Sequence, residues 1–135
     1  MSAEKKRQKP VNSTTGEAPI KSAHKKPFFI VGIGASAGGL EALEQFFKQM
    51  PADSGLAFVI VQHLDPHRHS DMPEILSKLT KMPVNLISDG MKLEADSIYL
   101  IPPDRIIRLE KSVLFVEKSA ELRGLRLPID FFLRS

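Results

Sequence analysis

The sequence predicts an α/β domain of three layers, α/β/α, in which a mainly parallel, doubly wound sheet carries a short antiparallel hairpin. Three observations predict it. From Pro27 onward, apolar runs of strand length alternate with stretches whose apolar residues recur at helical spacing. The second run, Leu56-Ala57-Phe58-Val59-Ile60-Val61, is apolar at every position, as a strand covered on both faces must be. The first run breaks into a glycine-rich turn that restarts as a helix, the junction on which parallel α/β sheets are built.

The elements follow in order. Residues 28–33 form an apolar β run, and Gly38 or Gly39 opens a helix whose apolar positions Leu40, Leu43, Phe46, Phe47 and Met50 share one face until Pro51 stops it. Residues 56–61 complete a βαβ unit. The segment from His63 to Ser70 reads as a polar loop, after which Ser70 or Asp71 caps a helix that turns Ile75, Leu76 and Leu79 inward, with Pro73 suited to its first turn. Val84-Asn85-Leu86-Ile87 reads as a third strand. Beyond Ser88-Asp89-Gly90, apolar runs at 97–101, 106–109 and 113–116 are separated by turns at Pro102-Pro103-Asp104 and Glu110-Lys111-Ser112, which predicts an antiparallel hairpin appended to the parallel sheet. Pro128-Ile129-Asp130-Phe131-Phe132-Leu133 begins a last helix. Its pattern is cut after barely two turns, so the domain is expected to be incomplete at its C-terminus.

Charge divides the chain unevenly. Residues 1–26 hold Lys5, Lys6, Arg7, Lys9, Lys21, Lys25 and Lys26 against Glu4 and Glu17, a net +5, and residues 27–135 carry −2. The leading segment is rich in Ser, Thr and Pro and poor in large apolar residues, so it cannot bury enough surface to offset its ordering entropy. The expected organisation is a disordered basic arm over 1–26 and one domain over 27–135. The arm has no aromatic residue on which bases would stack, which counts against nucleic acid as a partner. No apolar run approaches the ~18 residues of a membrane span, and the N-terminus lacks the apolar segment of a secretory signal. With no cysteine, disulfides and thiolate chemistry are excluded. These features predict a cytoplasmic chain without membrane insertion.

The glycine-rich turn is where chemistry is expected. Backbone N–H groups at a helix N-terminus stabilise an anion or a developing oxyanion. Read as Gly34-x-Ser36-x-Gly38, the turn is a nucleophile elbow exposing a serine hydroxyl. Read as Gly32-x-Gly34-x-x-Ala37, it is a dinucleotide fingerprint in which glycines admit a pyrophosphate. A third reading is a tight turn without chemistry. The tip of the second strand separates the first two: a dinucleotide fold expects Asp or Glu there to grip ribose hydroxyls, and this chain has Val61-Gln62-His63. Histidine suits a general base. Carboxyl ends of neighbouring parallel strands share one edge, so Ser36 and His63 are expected in the same crevice. His63, Asp65, His67 and His69 alternate like metal ligands, but Pro66 and Arg68 interleave them and no thiolate accompanies them, so no metal is expected. Leu40, Leu43, Phe46 and Phe47 read as core.

Gly34-Ala35-Ser36-Ala37-Gly38-Gly39 followed by Val61-Gln62-His63 resembles the catalytic domain of the chemotaxis protein-glutamate methylesterases, the CheB family. The likeness continues through Ser88-Asp89-Gly90, Ile98-Tyr99-Leu100-Ile101-Pro102-Pro103-Asp104 and residues 127–135. The wording around His63-Leu64-Asp65-Pro66-His67 and Pro128-Ile129-Asp130 most resembles the branch fused ahead of a CheR-type receptor methyltransferase. The resemblance implies a serine hydrolase that demethylates glutamate methyl esters on chemoreceptor helices, releasing methanol, within a chemotaxis signalling phosphorelay. It implies Ser36 as nucleophile, His63 as base, and backbone N–H groups at Ala37 and Gly38 as oxyanion donors, with no metal or organic cofactor. It implies methylated receptor helices, and a CheR-type methyltransferase, as partners. The family's third triad member is an aspartate in a Gly/Asp-rich loop C-terminal to the Pro-Ile-Asp helix, beyond Ser135. A module that binds receptor or methyltransferase without turnover is therefore the rival expectation, and a nucleotide-binding domain the second rival.

Overall fold

A computed structural model describes residues 26–36, 38–62, 70–118 and 128–135. In chain order the elements are β1 (Phe29–Ala35), α1 (Leu40–Gln49), β2 (Leu56–Gln62), α2 (Met72–Leu79), β3 (Val84–Leu86), β4 (Met91–Lys92), β5 (Ser97–Leu100), β6 (Arg105–Glu110), β7 (Val113–Lys118) and α3 (Pro128–Leu133). Four strands form a parallel sheet in the order β1-β2-β5-β3, and three form an antiparallel sheet in the order β4-β7-β6.

The alternation of side chains along each strand assigns the two faces of the parallel sheet. Phe58, Ile60, Ile98 and Leu100 point to one face, where Leu43 and Phe47 of α1 and Met72 and Leu76 of α2 cover them. Ala57, Val59, Val61 and Tyr99 point to the other, where they meet Ile107 of β6, Leu114 of β7 and Phe132 of α3. This explains why β2 is buried from Ala57 to Gln62: it has a neighbouring strand on each side and a layer on each face. Phe46, Phe47 and Phe58 pack edge to face, with ring centroids 5.0 to 5.9 Å apart, the arrangement their quadrupoles favour.

The predicted hairpin forms, between β6 and β7, but it is not appended to the parallel sheet. It joins β4 in a sheet of its own that lies across the second face. The third layer among the described residues is thus a small antiparallel sheet together with α3. The run at 97–101 belongs instead to the parallel sheet as β5, inserted between β2 and β3. The turn at Ser88-Asp89-Gly90 carries a structural bond: Gly90 takes φ +76°, and the Asp89 carboxylate accepts the Val116 N–H at 2.9 Å. The cap of α2 also differs in detail. Asp71 is the N-cap without a side-chain bond to the helix, and the Ser70 hydroxyl accepts the Met72 N–H at 3.3 Å.

Candidate active site at the carboxyl edge of the parallel sheet

All four parallel strands end on one edge, where β1 and β2 finish level with each other and β5 and β3 two residues earlier. Ala35 pairs with Gln62, so Ser36 and His63 are each the first residue past the end of its strand. Ser36 is described and exposed. His63 and Ala37 lie outside the described residues, as do Asp65, His67 and His69 of the alternating loop.

The turn that presents Ser36 is built from short local bonds. The Ser36 carbonyl accepts the Gly39 N–H at 2.9 Å, and the Gly39 carbonyl accepts the Leu43 N–H at 3.0 Å, so the chain passes from strand to helix within three residues. Gly39 is the N-cap of α1, and a Cβ there would stand 3.0 Å from the Ala35 Cβ and 3.2 Å from the Ser36 carbonyl oxygen. The close approach accounts for glycine at this position. A Cβ at Gly38 would meet nothing within 4 Å among the described residues. The N-terminus of the ten-residue α1 therefore opens directly beside the serine, with its positive end toward the edge.

Gly32 and Gly34 have a different explanation from the one a dinucleotide fingerprint gives them. Both face α3. A Cβ on Gly32 would lie 2.8 Å from Phe132 Cε1, and one on Gly34 would lie 3.0 Å from both Ile129 Cδ1 and Cγ2. The space left by the missing side chains is occupied by a helix nearly a hundred residues later in the chain, not kept open for a pyrophosphate. Sequence reasoning could not see this, because no local pattern links position 32 to position 132.

The residue that sequence reasoning passed over is Gln62. It ends β2, is only 8% exposed, and donates from Nε2 to the Ser36 carbonyl at 3.4 Å. Its Oε1 is buried and has no hydrogen-bond partner among the described residues. A buried acceptor left unpaired costs about 1–3 kcal/mol, and such exceptions are infrequent enough to need a reason. The signal was available: one carboxamide closes an otherwise wholly apolar run.

Among the described residues no three His, Cys, Asp or Glu side chains stand where they could share a metal ion. The clear pKa displacement among them lies away from this edge, on the hairpin. There the Glu110 hydrogen bond, followed by the charges of Glu110 and Glu117, raises the Arg108 guanidinium above its ordinary value. Arg108 also stacks over Phe115 at 4.8 Å. Asp104, after Pro102 and Pro103, takes φ +53° in the turn from β5 to β6. No helix among the described residues is long and apolar enough to cross a membrane.

Comparison with known proteins gives one answer at three levels. A family described as CheB methylesterase matches residues 31–135. A protein-glutamate methylesterase/protein-glutamine glutaminase of Pseudomonas aeruginosa is 39% identical over 108 residues, covering 78% of this chain and 32% of that protein. One from Burkholderia orbicola is 36% identical over 107 residues with the same coverage, 78% and 32%. The crystal structure of the Thermotoga maritima CheB methylesterase catalytic domain superposes with a TM-score of 0.65 at 26% identity, over 80% of this chain and 59% of that one. The chain spans about a third of the length of these two curated relatives.

Proposed function

The chain belongs to the CheB methylesterase family, and on that premise we propose that it hydrolyses methyl esters of glutamate side chains, with Ser36 as nucleophile and His63 as general base. The observation that carries the reading is Ser36 itself: an exposed serine in a strand-to-helix turn, its carbonyl folded back onto Gly39 and the N-terminus of α1 beside it.

The chemistry these residues would perform is acyl transfer. As the Ser36 hydroxyl oxygen attacks the ester carbonyl, the His63 imidazole takes its proton, because a neutral hydroxyl is a poor nucleophile. The carbonyl π bond opens onto oxygen, and the resulting oxyanion is held by the backbone N–H groups after Ser36, at Ala37 and Gly38. Each such donor is worth roughly 3 kcal/mol in comparable sites. The tetrahedral intermediate collapses with cleavage of its C–OCH3 bond, and the imidazolium protonates the departing methoxide to methanol. Water then attacks the acyl-serine with the same base, restoring the serine and leaving a glutamate carboxylate. No step calls for a metal or an organic cofactor.

The finer reading places the substrate on chemoreceptor helices within chemotaxis signalling, and the protein beside or ahead of a CheR-type methyltransferase, with residues 27–135 as the catalytic unit and 1–26 as a basic arm. The family and the protein-glutamate methylesterases among its relatives support glutamate methyl esters as the substrate class. The test is methanol release from a methylated chemoreceptor fragment, with Ser36→Ala as control and circular dichroism on both proteins. Release that depends on Ser36 is expected. A folded chain that releases no methanol would instead favour a non-catalytic module binding receptor or methyltransferase.

A further inference from the structure

The Ser36 carbonyl is held from two elements at once: the Gly39 N–H at the entry of α1 at 2.9 Å, and Gln62 Nε2 at the end of β2 at 3.4 Å. A peptide group is planar and trans, so its N–H points away from its C=O. Fixing the direction of the Ser36 carbonyl therefore fixes the direction of the amide N–H that follows it. The oxygen is held toward Gly39 and Gln62, which restrains the plane of the peptide group that follows the nucleophile. In hydrolases with a nucleophile elbow, the N–H after the nucleophile is one of the oxyanion donors. We infer that Gln62 is a positioning residue, acting through the Ser36 carbonyl to aim this oxyanion-stabilising amide. It touches neither substrate nor the reacting atoms. The inference rests on the esterase reading of Ser36.

The second half of the Gln62 carboxamide points the same way. Among the described residues Oε1 is buried and unpartnered, in a strand whose other six residues are apolar. Folding alone disfavours such a group, because an apolar side chain of similar size would leave no acceptor unpaired. The bond from Nε2 to Ser36 is what the carboxamide offers in return, and it is directed at the functional turn. Local rules broken in this manner belong to sites, where stability and activity make opposite demands.

The experiment uses the full 135-residue chain and a synthetic peptide bearing a γ-methyl glutamate ester. Gln62→Met keeps the length of the side chain and removes both polar groups. Gln62→Glu keeps the shape, and its ionised carboxylate cannot donate to a carbonyl. In both variants kcat for methanol release is expected to fall about ten- to a hundred-fold, less than the loss of a whole donor, with KM within about twofold. The melting temperature of Gln62→Met is expected to equal or exceed that of the parent. A merely structural role would lower the melting temperature and leave kcat per folded molecule unchanged, and that result overturns the inference; Gln62→Glu supplies the kcat reading if Gln62→Met is poorly folded. Ser36-dependent turnover with kcat unchanged in the folded variants also overturns it, while leaving the esterase reading intact. No Ser36-dependent release by the parent chain overturns the esterase reading, and the inference with it.

Discussion

At its start, β2 is tied into the fold by a closed set of bonds. Asp96 Oδ1 accepts the Gly55 N–H at 2.6 Å, the Asp96 N–H reaches the Leu56 carbonyl at 2.8 Å, and the Ser54 hydroxyl accepts the Leu56 N–H at 3.4 Å. Two residues take φ values that favour glycine to allow it, Gly55 at +74° and Asp96 at +58°. At its other end the same strand closes on Gln62, which makes one long bond to the Ser36 carbonyl and leaves an acceptor buried without a partner among the described residues. One end uses its polar groups to fix where β2 and β5 begin. The other keeps polar capacity beside an exposed serine at a cost to stability. The strand is therefore anchored at its amino end and bears the proposed site at its carboxyl end, the edge where parallel α/β sheets bind ligands.

The sharpest way to break this comparison is Ser36→Ala. The side chain is exposed, so the melting temperature should stay where it is, and methanol release should fall by about 10⁴-fold or more, as when a serine nucleophile is removed elsewhere. A fall of less than tenfold would move the chemistry away from the carboxyl edge. Next in size is Gly34→Val, which drives a branched side chain into Ile129 and is expected to cost about 1–3 kcal/mol by denaturant titration. A stable variant would mean that α3 does not need the space. In the same vein, calorimetric titration of the parent with a dinucleotide should show no binding. Asp96→Ala removes the bond to Gly55 and places alanine at a positive φ, for about 1 kcal/mol of stability with kcat unchanged. An effect on kcat would show that the amino end of β2 also serves the site. The smallest effect is at Arg108, whose pairs with Glu110 and Glu117 are solvated. Arg108→Ala should leave both melting temperature and turnover within error, at low salt and high.

The legibility of the fold followed the range of each signal. Apolar runs located six of the seven strands among the described residues to within two residues or so, and the helical stripe from Leu40 to Met50 with Pro51 after it bounded α1, because these patterns are local. The two-residue β4 carries too little sequence to form a pattern. Membership of sheets was not legible either, since a run of alternating residues says that a strand forms but not which partner it takes; the hairpin of β6 and β7 was placed on the wrong sheet for that reason. Gly32 and Gly34 looked like ligand-approach glycines because their cause, Phe132 and Ile129, lies far along the chain. At the proposed site, the strand-to-helix turn that exposes Ser36 was legible from its glycine context. Gln62 stands out as the one polar residue of an apolar strand, but no local pattern shows that its carboxamide reaches the Ser36 carbonyl 26 residues away.

The most direct test of the account is to quench the chain in acid during reaction with a γ-methyl glutamyl peptide and map any acylated residue by mass spectrometry. The account predicts an acyl adduct on Ser36 that is absent from Ser36→Ala. Methanol released with no adduct on Ser36, and at the same rate from Ser36→Ala, would contradict it.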